Sequence, residues 1–305
     1  MPGSVLGESG PVEGTVPGAA FVVESVGFTA QRYRFPFGVI RCGSAATPDA
    51  QLGQNGCMDL GLSSKVFIVT AASGGLGLAT ARELVAEGAR VVLVARRANA
   101  LAEAVADLGE SHAVSLAADL SDPATADAAV KLATDSWQRV DGVFVSVGGP
   151  PKGRVLENTD DQWEAAFSSV FLAALRVSRA VVGANPAATL GFVLSSSAKS
   201  PLAEMAISNG LRPGLAMLVK QLANEIAADG GRAFALLPGR IATQRMVDLL
   251  GHEPTAQDAV DSGIPMRRMG DPAEFGKVAT FLLSDAASYV TGVMLPVDGG
   301  LLQVL

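Results

Sequence analysis

A glycine-dense turn at residues 73–77 is the part of this sequence best suited to hold a phosphate group. It follows a run of β-branched and aromatic residues at 66–70, and an alanine-rich helical pattern comes directly after it. Gly75 and Gly77 carry no Cβ, so backbone N–H groups at the start of that helix can point at a pyrophosphate. A buried parallel strand would bring the turn to the carboxyl edge of a sheet, where open α/β folds bind nucleotides. The alternative is an ordinary turn, since the chain has 34 glycines.

The composition favours a cytoplasmic α/β protein that acts on a small molecule. A chain of 305 residues, 49% hydrophobic and 5% aromatic, can bury an aliphatic core of the kind found in parallel sheets covered by helices. The formal net charge of −7 argues against a nucleic-acid surface. No apolar run reaches the roughly 20 residues that span a bilayer, so no membrane partner is expected.

Neither the cysteines nor the histidines form a pattern typical of a redox or metal site. Cys42 and Cys57 both precede the glycine turn. We interpret them as reduced thiols of a cytoplasmic protein, with a bridge between them as the alternative. His112 and His252 stand alone, without metal-ligand spacing, so we expect no metal.

The chain divides at Met58 into an N-terminal extension and one larger domain. Residues 1–57 are rich in glycine, proline and other small residues, and we expect them to be flexible. Within them, the pattern predicts a short hairpin at 21–41 and a linker at 43–57. The extension is an appendage, the product of an upstream start codon or a tail without a role.

From residue 58 to residue 305, strand and helix patterns alternate seven times, which predicts a doubly wound, seven-stranded parallel sheet. The expected strands are 66–70, 90–94, 113–117, 143–147, 191–195, 232–237 and 293–297. The expected helices are 77–87, 98–108, 123–137, 160–182, 205–228 and 272–284, the last with Asp271 as its N-cap. An irregular excursion at 240–270 follows the sixth strand. We interpret it as a lid over the substrate, with an ordinary surface insertion as the alternative.

Four spaced motifs resemble those of the short-chain dehydrogenase/reductase family. The glycine turn fits T-G-x-x-x-G-x-G with Ala71 in place of the first glycine, and Asp119 follows the third strand. Residues 238–243 follow the sixth strand, and 289–300 surround the seventh. The resemblance covers essentially 58–305 and implies a Rossmann-like fold that binds a nicotinamide cofactor. It implies the cofactor-binding residues Thr70, Ser73, Gly75, Leu76, Gly77, Arg96, Asp119, Leu120, Ser146, Gly148, Arg212, Pro238, Gly239, Ile241 and Thr243.

The charges after the second strand favour NADPH over NADH. Members that prefer NAD place a carboxylate there for the ribose 2′-OH. This chain has Ala95 followed by Arg96 and Arg97, and guanidinium groups suit a 2′-phosphate. Against this, the basic residue that NADPH-using members often carry within the glycine turn is here Gly74. The alternative is that both arginines are only solvated.

The catalytic positions of the family have changed in this chain. Members use a Ser, a Tyr and a Lys. Aligned by the helix that carries Tyr-x-x-x-Lys, the tyrosine falls on Ser208, the lysine on Arg212 and the serine on Ser195. The asparagine expected in the long helix is replaced by Val170, and the two-asparagine stretch after the fourth strand becomes Val-Ser-Val-Gly at 145–148.

These changes limit what the site can do with protons. A serine hydroxyl is a far weaker acid than a phenol, and a guanidinium does not exchange protons at neutral pH. Ser208 and Arg212 can therefore stabilise a developing alkoxide but not relay its proton. Lys199, in the loop after the fifth strand, is the remaining ionisable candidate if burial lowers its pKa; the alternative is an exposed lysine. Its Ser-rich loop resembles that of one branch of the family, which would make the set a variant site.

Two functions follow from the resemblance. The first is an NAD(P)H-dependent oxidoreductase acting on the carbonyl or alcohol of a small apolar substrate, such as a 3-oxoacyl thioester. The alternative is a catalytically inactive NADP(H)-binding sensor or structural subunit. The apolar substrate is suggested by the aliphatic residues of the excursion, namely Ile241, Met246, Leu249, Leu250, Ile264 and Met266. Apolar stripes on the two long helices indicate a homodimer or homotetramer, as in the family.

Overall fold

Seven short strands form one parallel sheet in the computed structural model, which describes residues 58–304. The order across the sheet is β3-β2-β1-β4-β5-β6-β7. The strands are β1 (Val66–Thr70), β2 (Arg90–Ala95), β3 (Ala113–Ala117), β4 (Gly142–Val145), β5 (Thr189–Val193), β6 (Arg232–Pro238) and β7 (Met294–Val297). The predicted doubly wound sheet is therefore confirmed. The hairpin predicted at 21–41, the linker at 43–57 and both cysteines lie outside the described residues.

The helices follow the predicted bounds closely. The excursion, expected to be irregular, contains the two short helices α7 and α8. The helices are α1 (Gly75–Ala86), α2 (Ala98–Leu108), α3 (Ala124–Trp137), α4 (Asp160–Ala166), α5 (Ala173–Ala184), α6 (Ala206–Ile226), α7 (Gln244–Leu250), α8 (Ala256–Asp261) and α9 (Pro272–Leu283). Asp271 caps α9 as predicted, because its carboxylate accepts from the N–H of Ala273 at 2.7 Å.

Alternation along the strands divides the core between two helical layers. On β1, Val66 and Ile68 face the layer of α3, α5 and α6. Phe67 and Val69 face the layer of α1, α2 and α9. Successive strand side chains point to opposite faces, so a strand covered on both sides must be apolar throughout. This explains the unbroken hydrophobic runs in the sequence.

The long helix predicted at 160–182 is continuous from Asp160 to Ala184. Its central turn, Phe167–Leu172, is π-helical and contains the buried Val170. By length and composition this helix could cross a membrane. However, its Ala166, Val170 and Ala174 lie in the core against the sheet, as in the core helix of a soluble fold.

Two central strands end earlier than predicted. β4 ends at Val145 and β5 ends at Val193, each two residues before the expected end. Ser146 and Ser195 therefore leave the sheet at its carboxyl edge. Ser195 is extended and caps a 3-10 turn, Ser196–Ala198, by accepting from the N–H of Ser197 at 3.1 Å. The loops that form the site begin at these residues.

Candidate active site and cofactor crevice

The glycine turn joins β1 to α1 at the point where the order of the strands reverses. Gly75 has a φ of +55°, and Gly74 caps α1 without any side-chain hydrogen bond to its first turn. The N–H groups of that turn therefore remain available to an anion. The space around Gly75 is open: an added Cβ would meet only the Cγ2 of Thr243, at 4.0 Å. These features fit the diphosphate of a dinucleotide.

Gly77 has a packing role that the sequence did not indicate. A Cβ at this position would lie 2.8 Å from the Thr70 carbonyl oxygen and 2.9 Å from that of Ala71. Glycine is needed here because α1 packs directly on the end of β1. This contact fixes where the first turn of α1 points.

Ala71 stands where the family motif has its first glycine, and it has a φ of +50°. A residue with a Cβ is strained in this region by roughly 1–2 kcal/mol. The turn therefore holds Ala71 in a backbone conformation that glycine would adopt without this strain.

Ala71→Gly is expected to raise the free energy of unfolding by about 1 kcal/mol, because glycine adopts this φ without the clash. Urea denaturation measures the change. Ala72→Gly is the matched control: Ala72 is fully buried and has no positive φ, so its substitution should lower stability by about 1 kcal/mol. A loss of stability in both variants would contradict the strain at Ala71.

Thr70 and Ser146 connect the two strands that flank the crevice. The Thr70 hydroxyl donates to the Ser146 carbonyl oxygen at 2.5 Å and accepts from the Ser146 N–H at 2.9 Å. Thr70 is only 1% exposed, so its hydroxyl is committed to this pairing. Thr70 and Ser146 were expected to bind cofactor, and their mutual hydrogen bonds fix the ends of β1 and β4 relative to each other.

Two arginines lie beside the turn on the β2 side. The Arg97 Nη2 donates to the carbonyl oxygen of Ser73 at 3.0 Å and to its Oγ at 3.2 Å. A Cβ on Gly74 would be 3.5 Å from the same Nη2. Arg97 thus brings a positive charge to the turn, which contains no basic residue of its own. Sequence reasoning named Arg97 beside Arg96 but did not place it against the turn.

Arg96 extends to Asp119 instead. Its Nη1 lies 4.0 Å from the Asp119 Oδ2, and both side chains are well exposed. The N–H and hydroxyl of Ser121 donate to the Asp119 carboxylate and, together with Arg96, lower its pKa. Asp119 therefore stays ionised at the end of β3, and Leu120 beside it is half-buried.

The far side of the crevice is formed by the residues after β6. Gly239 approaches Asp298 so closely that a Cβ would lie 2.6 Å from the Asp298 Cα. Pro238 ends β6, and Ile241 is buried. Thr243 begins α7 and faces Gly75 across the opening. The excursion is closed at its base, because Ile241 and Gly270 form a β-bridge.

Two of the four predicted catalytic residues, Ser195 and Ser208, are joined by a further serine, Ser197. The Oγ atoms of Ser197 and Ser208 are 2.9 Å apart, and the N–H of Ser197 donates to Ser195 Oγ at 3.1 Å. Ser208 and Arg212 are one turn apart on α6, and both are buried. Ser197 was missed by sequence reasoning. The signal for it was the run of three hydroxyl residues at 195–197.

Arg212 is a buried cation without a counter-ion among the described residues. Its Nη1 donates to the Val193 carbonyl oxygen at 2.8 Å, whereas its Nε has no partner. Burial, assisted by repulsion from Arg245, lowers the pKa of Arg212 to about 10. The guanidinium therefore stays charged at neutral pH, and its charge is poorly compensated.

Lys199 does not meet the condition set for a proton donor. Its side chain is exposed at the end of the 3-10 turn, not buried against apolar neighbours. Gly148 is exposed after β4, and Leu76 is half-buried in the first turn of α1. In the described part of the chain, no three His, Cys, Asp or Glu residues are grouped as metal ligands.

A parallel sheet with a glycine turn at its reversal point, facing a cluster of hydroxyls and an arginine, defines a dinucleotide-binding α/β protein. A sequence model of a protein family, described as enoyl-(acyl carrier protein) reductase, matches residues 70–302. The chain belongs to the short-chain dehydrogenase/reductase family, whose members are NAD(P)-dependent oxidoreductases.

Individual relatives differ in what they act on. Galactitol 2-dehydrogenase (L-tagatose-forming) of Cereibacter sphaeroides is 34% identical over 239 residues, 76% of this chain and 92% of that protein. The structure of L-sorbose reductase from Gluconobacter frateurii with NADPH and L-sorbose has a TM-score of 0.76 at 30% identity, over 81% of this chain and 100% of that one. A short chain oxidoreductase of Pseudomonas aeruginosa PAO1, described as containing an atypical catalytic center, has a TM-score of 0.76 at 26% identity, over 80% and 100% of the chains.

Proposed function

We propose that this protein is an NADPH-dependent oxidoreductase that transfers hydride between the nicotinamide and a carbonyl or alcohol carbon of a small substrate. The observation that carries the proposal is the placement of Ser195, Ser208 and Arg212 around the end of β5, at the carboxyl edge of the sheet. The bound nicotinamide supplies the hydride. The residues of this chain must then bind, orient and stabilise the oxygen that gains charge.

The preference for NADPH is supported by charge at the adenosine end of the crevice. Arg97 lies against the turn and Arg96 lies beside Asp119, so two guanidinium groups are near the position of a ribose 2′-phosphate. Arginine binds phosphate through paired N–H donors. L-sorbose reductase, similar in fold, was solved with NADPH.

Arg97→Gln is expected to weaken NADPH binding by about 10- to 100-fold and to change NADH binding by less than about threefold, because only NADPH carries the 2′-phosphate. Fluorescence titration of both nucleotides measures the difference. Arg82→Gln is the control: Arg82 is exposed and paired with Asp107 at 3.0 Å, so its substitution should leave both affinities unchanged. Equal losses for NADPH and NADH in Arg97→Gln would contradict a phosphate contact.

Stabilisation of charge, and not proton exchange, is the chemistry that this site supports. Ser195 and Ser208 offer hydroxyl donors, and Arg212 adds a fixed positive charge within a buried region. Such preorganised donors favour an alkoxide as it forms. Of the two tyrosines in the chain, Tyr289 is fully exposed and Tyr33 lies outside the described residues. General acid catalysis is worth roughly 100- to 10,000-fold, so turnover without it should be slow.

The excursion supports a substrate with an apolar part. Ile241, Met246 and Ile264 are buried, whereas Met266 is 60% exposed and Leu249 and Leu250 are half-buried. A 3-oxoacyl thioester is one such substrate, and the family description concerns acyl carriers.

A second candidate is an NADP(H)-binding sensor without turnover. It is favoured by the Ser208 hydroxyl, which is engaged with Ser197 where the family has a proton-exchanging tyrosine. A panel of ketones, oxo acids and 3-oxoacyl thioesters tested for NADPH oxidation separates the two. Turnover with any compound supports the oxidoreductase. Tight NADPH binding with no turnover across the panel supports the sensor instead.

We further propose a cytoplasmic homodimer or homotetramer. The support is the exposed apolar surface of the long helices. The rings of Phe167 and Phe171 stack with their centroids 5.0 Å apart, and Met217 is 71% exposed. Light scattering would report the mass, and a monomer at micromolar concentration would contradict the proposal.

A further inference from the structure

Arg245, in the first turn of α7, extends from the excursion onto the loop after β4. A Cβ placed on Gly149 would overlap the Arg245 guanidinium at its Cζ and at both Nη atoms. The guanidinium therefore lies against the backbone of Gly149. This contact brings the excursion and the carboxyl end of β4 together at the edge where the substrate must bind.

The Arg245 charge has no partner within the described residues. No carboxylate there pairs with it, although α7 contains Asp248, which instead accepts from Gln244 at 3.1 Å. Glu157, beyond Gly149 in the same loop, is 3.6 Å from Arg154. The Arg245 side chain is exposed, so its guanidinium is accessible to an anion from solvent.

Arg212 contributes a second uncompensated charge to the same region. It is 5% exposed, its Nε lacks a partner, and Arg245 is close enough to repel it. Like charges near each other repel, and an anion bound between them reduces that repulsion. The arrangement is therefore complementary to a negatively charged group that enters between α7 and β5.

We propose that the substrate carries a carboxylate, which Arg245 binds beside Gly149 while the oxygen at the reacting carbon lies toward Arg212 and Ser195. This inference rests on the proposed function and makes the substrate an oxo acid or the corresponding hydroxy acid with an apolar chain. In reduction, hydride from NADPH adds to the carbonyl carbon and a proton from solvent adds to its oxygen. The products are the hydroxy acid and NADP⁺, and the carboxylate is unchanged.

A planar guanidinium matches a carboxylate through two parallel N–H donors. The neutral methyl ester of the same acid keeps the chain and the carbonyl but loses this interaction. Comparing each acid with its ester therefore isolates the contribution of the charge.

The test uses 2-, 4- and 5-oxohexanoate, each beside its methyl ester, with the full chain. The values of kcat/KM with NADPH, and calorimetric binding to the protein with NADP⁺, should favour at least one acid over its ester by about 10- to 100-fold. Arg245→Gln should reduce that preference to about threefold or less, and Arg245→Lys should retain part of it. Arg267→Gln removes the same charge from an exposed position in the same excursion, so the preference should persist.

Each other outcome overturns the carboxylate site. Equal values for acid and ester in the wild type would do so, as would a preference that survives Arg245→Gln. Weaker NADPH binding in Arg245→Gln with an unchanged preference would assign Arg245 to the cofactor. If NADPH binds but neither acid nor ester does, only the carboxylate proposal fails. If NADPH does not bind, the proposed function fails. The affinities of the acid and of its ester for the chain alone then still show whether Arg245 binds a carboxylate.

Discussion

Arg212→Met is expected to lower kcat/KM for NADPH-dependent reduction by about 100- to 1,000-fold, the usual cost of removing one preorganised donor at a developing oxyanion. The same variant should be more stable than the wild type. Burial is the main reason why the pKa of Arg212 falls to about 10, and a depression of that size corresponds to about 3 kcal/mol. Methionine avoids this cost but leaves the Val193 carbonyl oxygen without its donor, which costs about 1–2 kcal/mol.

The net gain in stability should be about 1–2 kcal/mol, measured by urea denaturation beside steady-state kinetics. Arg232→Met is the matched control. Arg232, the first residue of β6, is also buried, but its Nη atoms donate to carbonyl oxygens at the end of α9, including those of Leu282 and Ser284, both at 2.8 Å. Its removal should lower stability by several kcal/mol. Comparable losses in the two variants would show that Arg212 is a structural residue.

Gly77→Ala is expected to damage both stability and cofactor binding. The new Cβ would lie 2.8 Å from a backbone oxygen of Thr70, which cannot move without shifting β1 or α1. We expect a loss of about 1–3 kcal/mol in the free energy of unfolding. NADPH affinity should fall by about tenfold or more, since the N–H groups that would hold the diphosphate move with α1.

Gly74→Ala, three residues earlier in the same turn, is the control for that experiment. The φ of Gly74 is 164°, an extended value open to any residue, and an added Cβ would meet only the Arg97 Nη2 at 3.5 Å. Both stability and NADPH affinity should change little. If Gly77→Ala were equally mild, the close packing of α1 on β1 would not be what positions the turn.

The fold could be predicted from the sequence because its signals are local. Unbroken apolar runs define the strands, and Asp271 before Pro272 defines the start of α9. The ends of β4 and β5 were predicted two residues too late, since Val147 and Leu194 continue the apolar pattern after the strands have separated. Periodicity does not show where two neighbouring strands diverge.

The site was less predictable because it depends on contacts between distant parts of the chain. Ser208 and Arg212 were predicted from a register within one helix and Ser195 from its spacing to Ser208, and the structure places all three around the end of β5. The approach of Arg97 to Ser73 and of Arg245 to Gly149 spans segments 24 residues apart or more, and nothing in the local sequence specifies it. The exposure of Lys199 was equally invisible in a pattern of residue types.

We expect a nicotinamide dinucleotide to bind across the carboxyl edge of this sheet, with its 2′-phosphate near Arg96 and Arg97. Calorimetric titration of the full chain with NADPH and, separately, with NADH tests it most directly. We expect one NADPH per chain and an affinity at least about tenfold higher than that for NADH. Binding of neither nucleotide, or equal affinity for both, would contradict it.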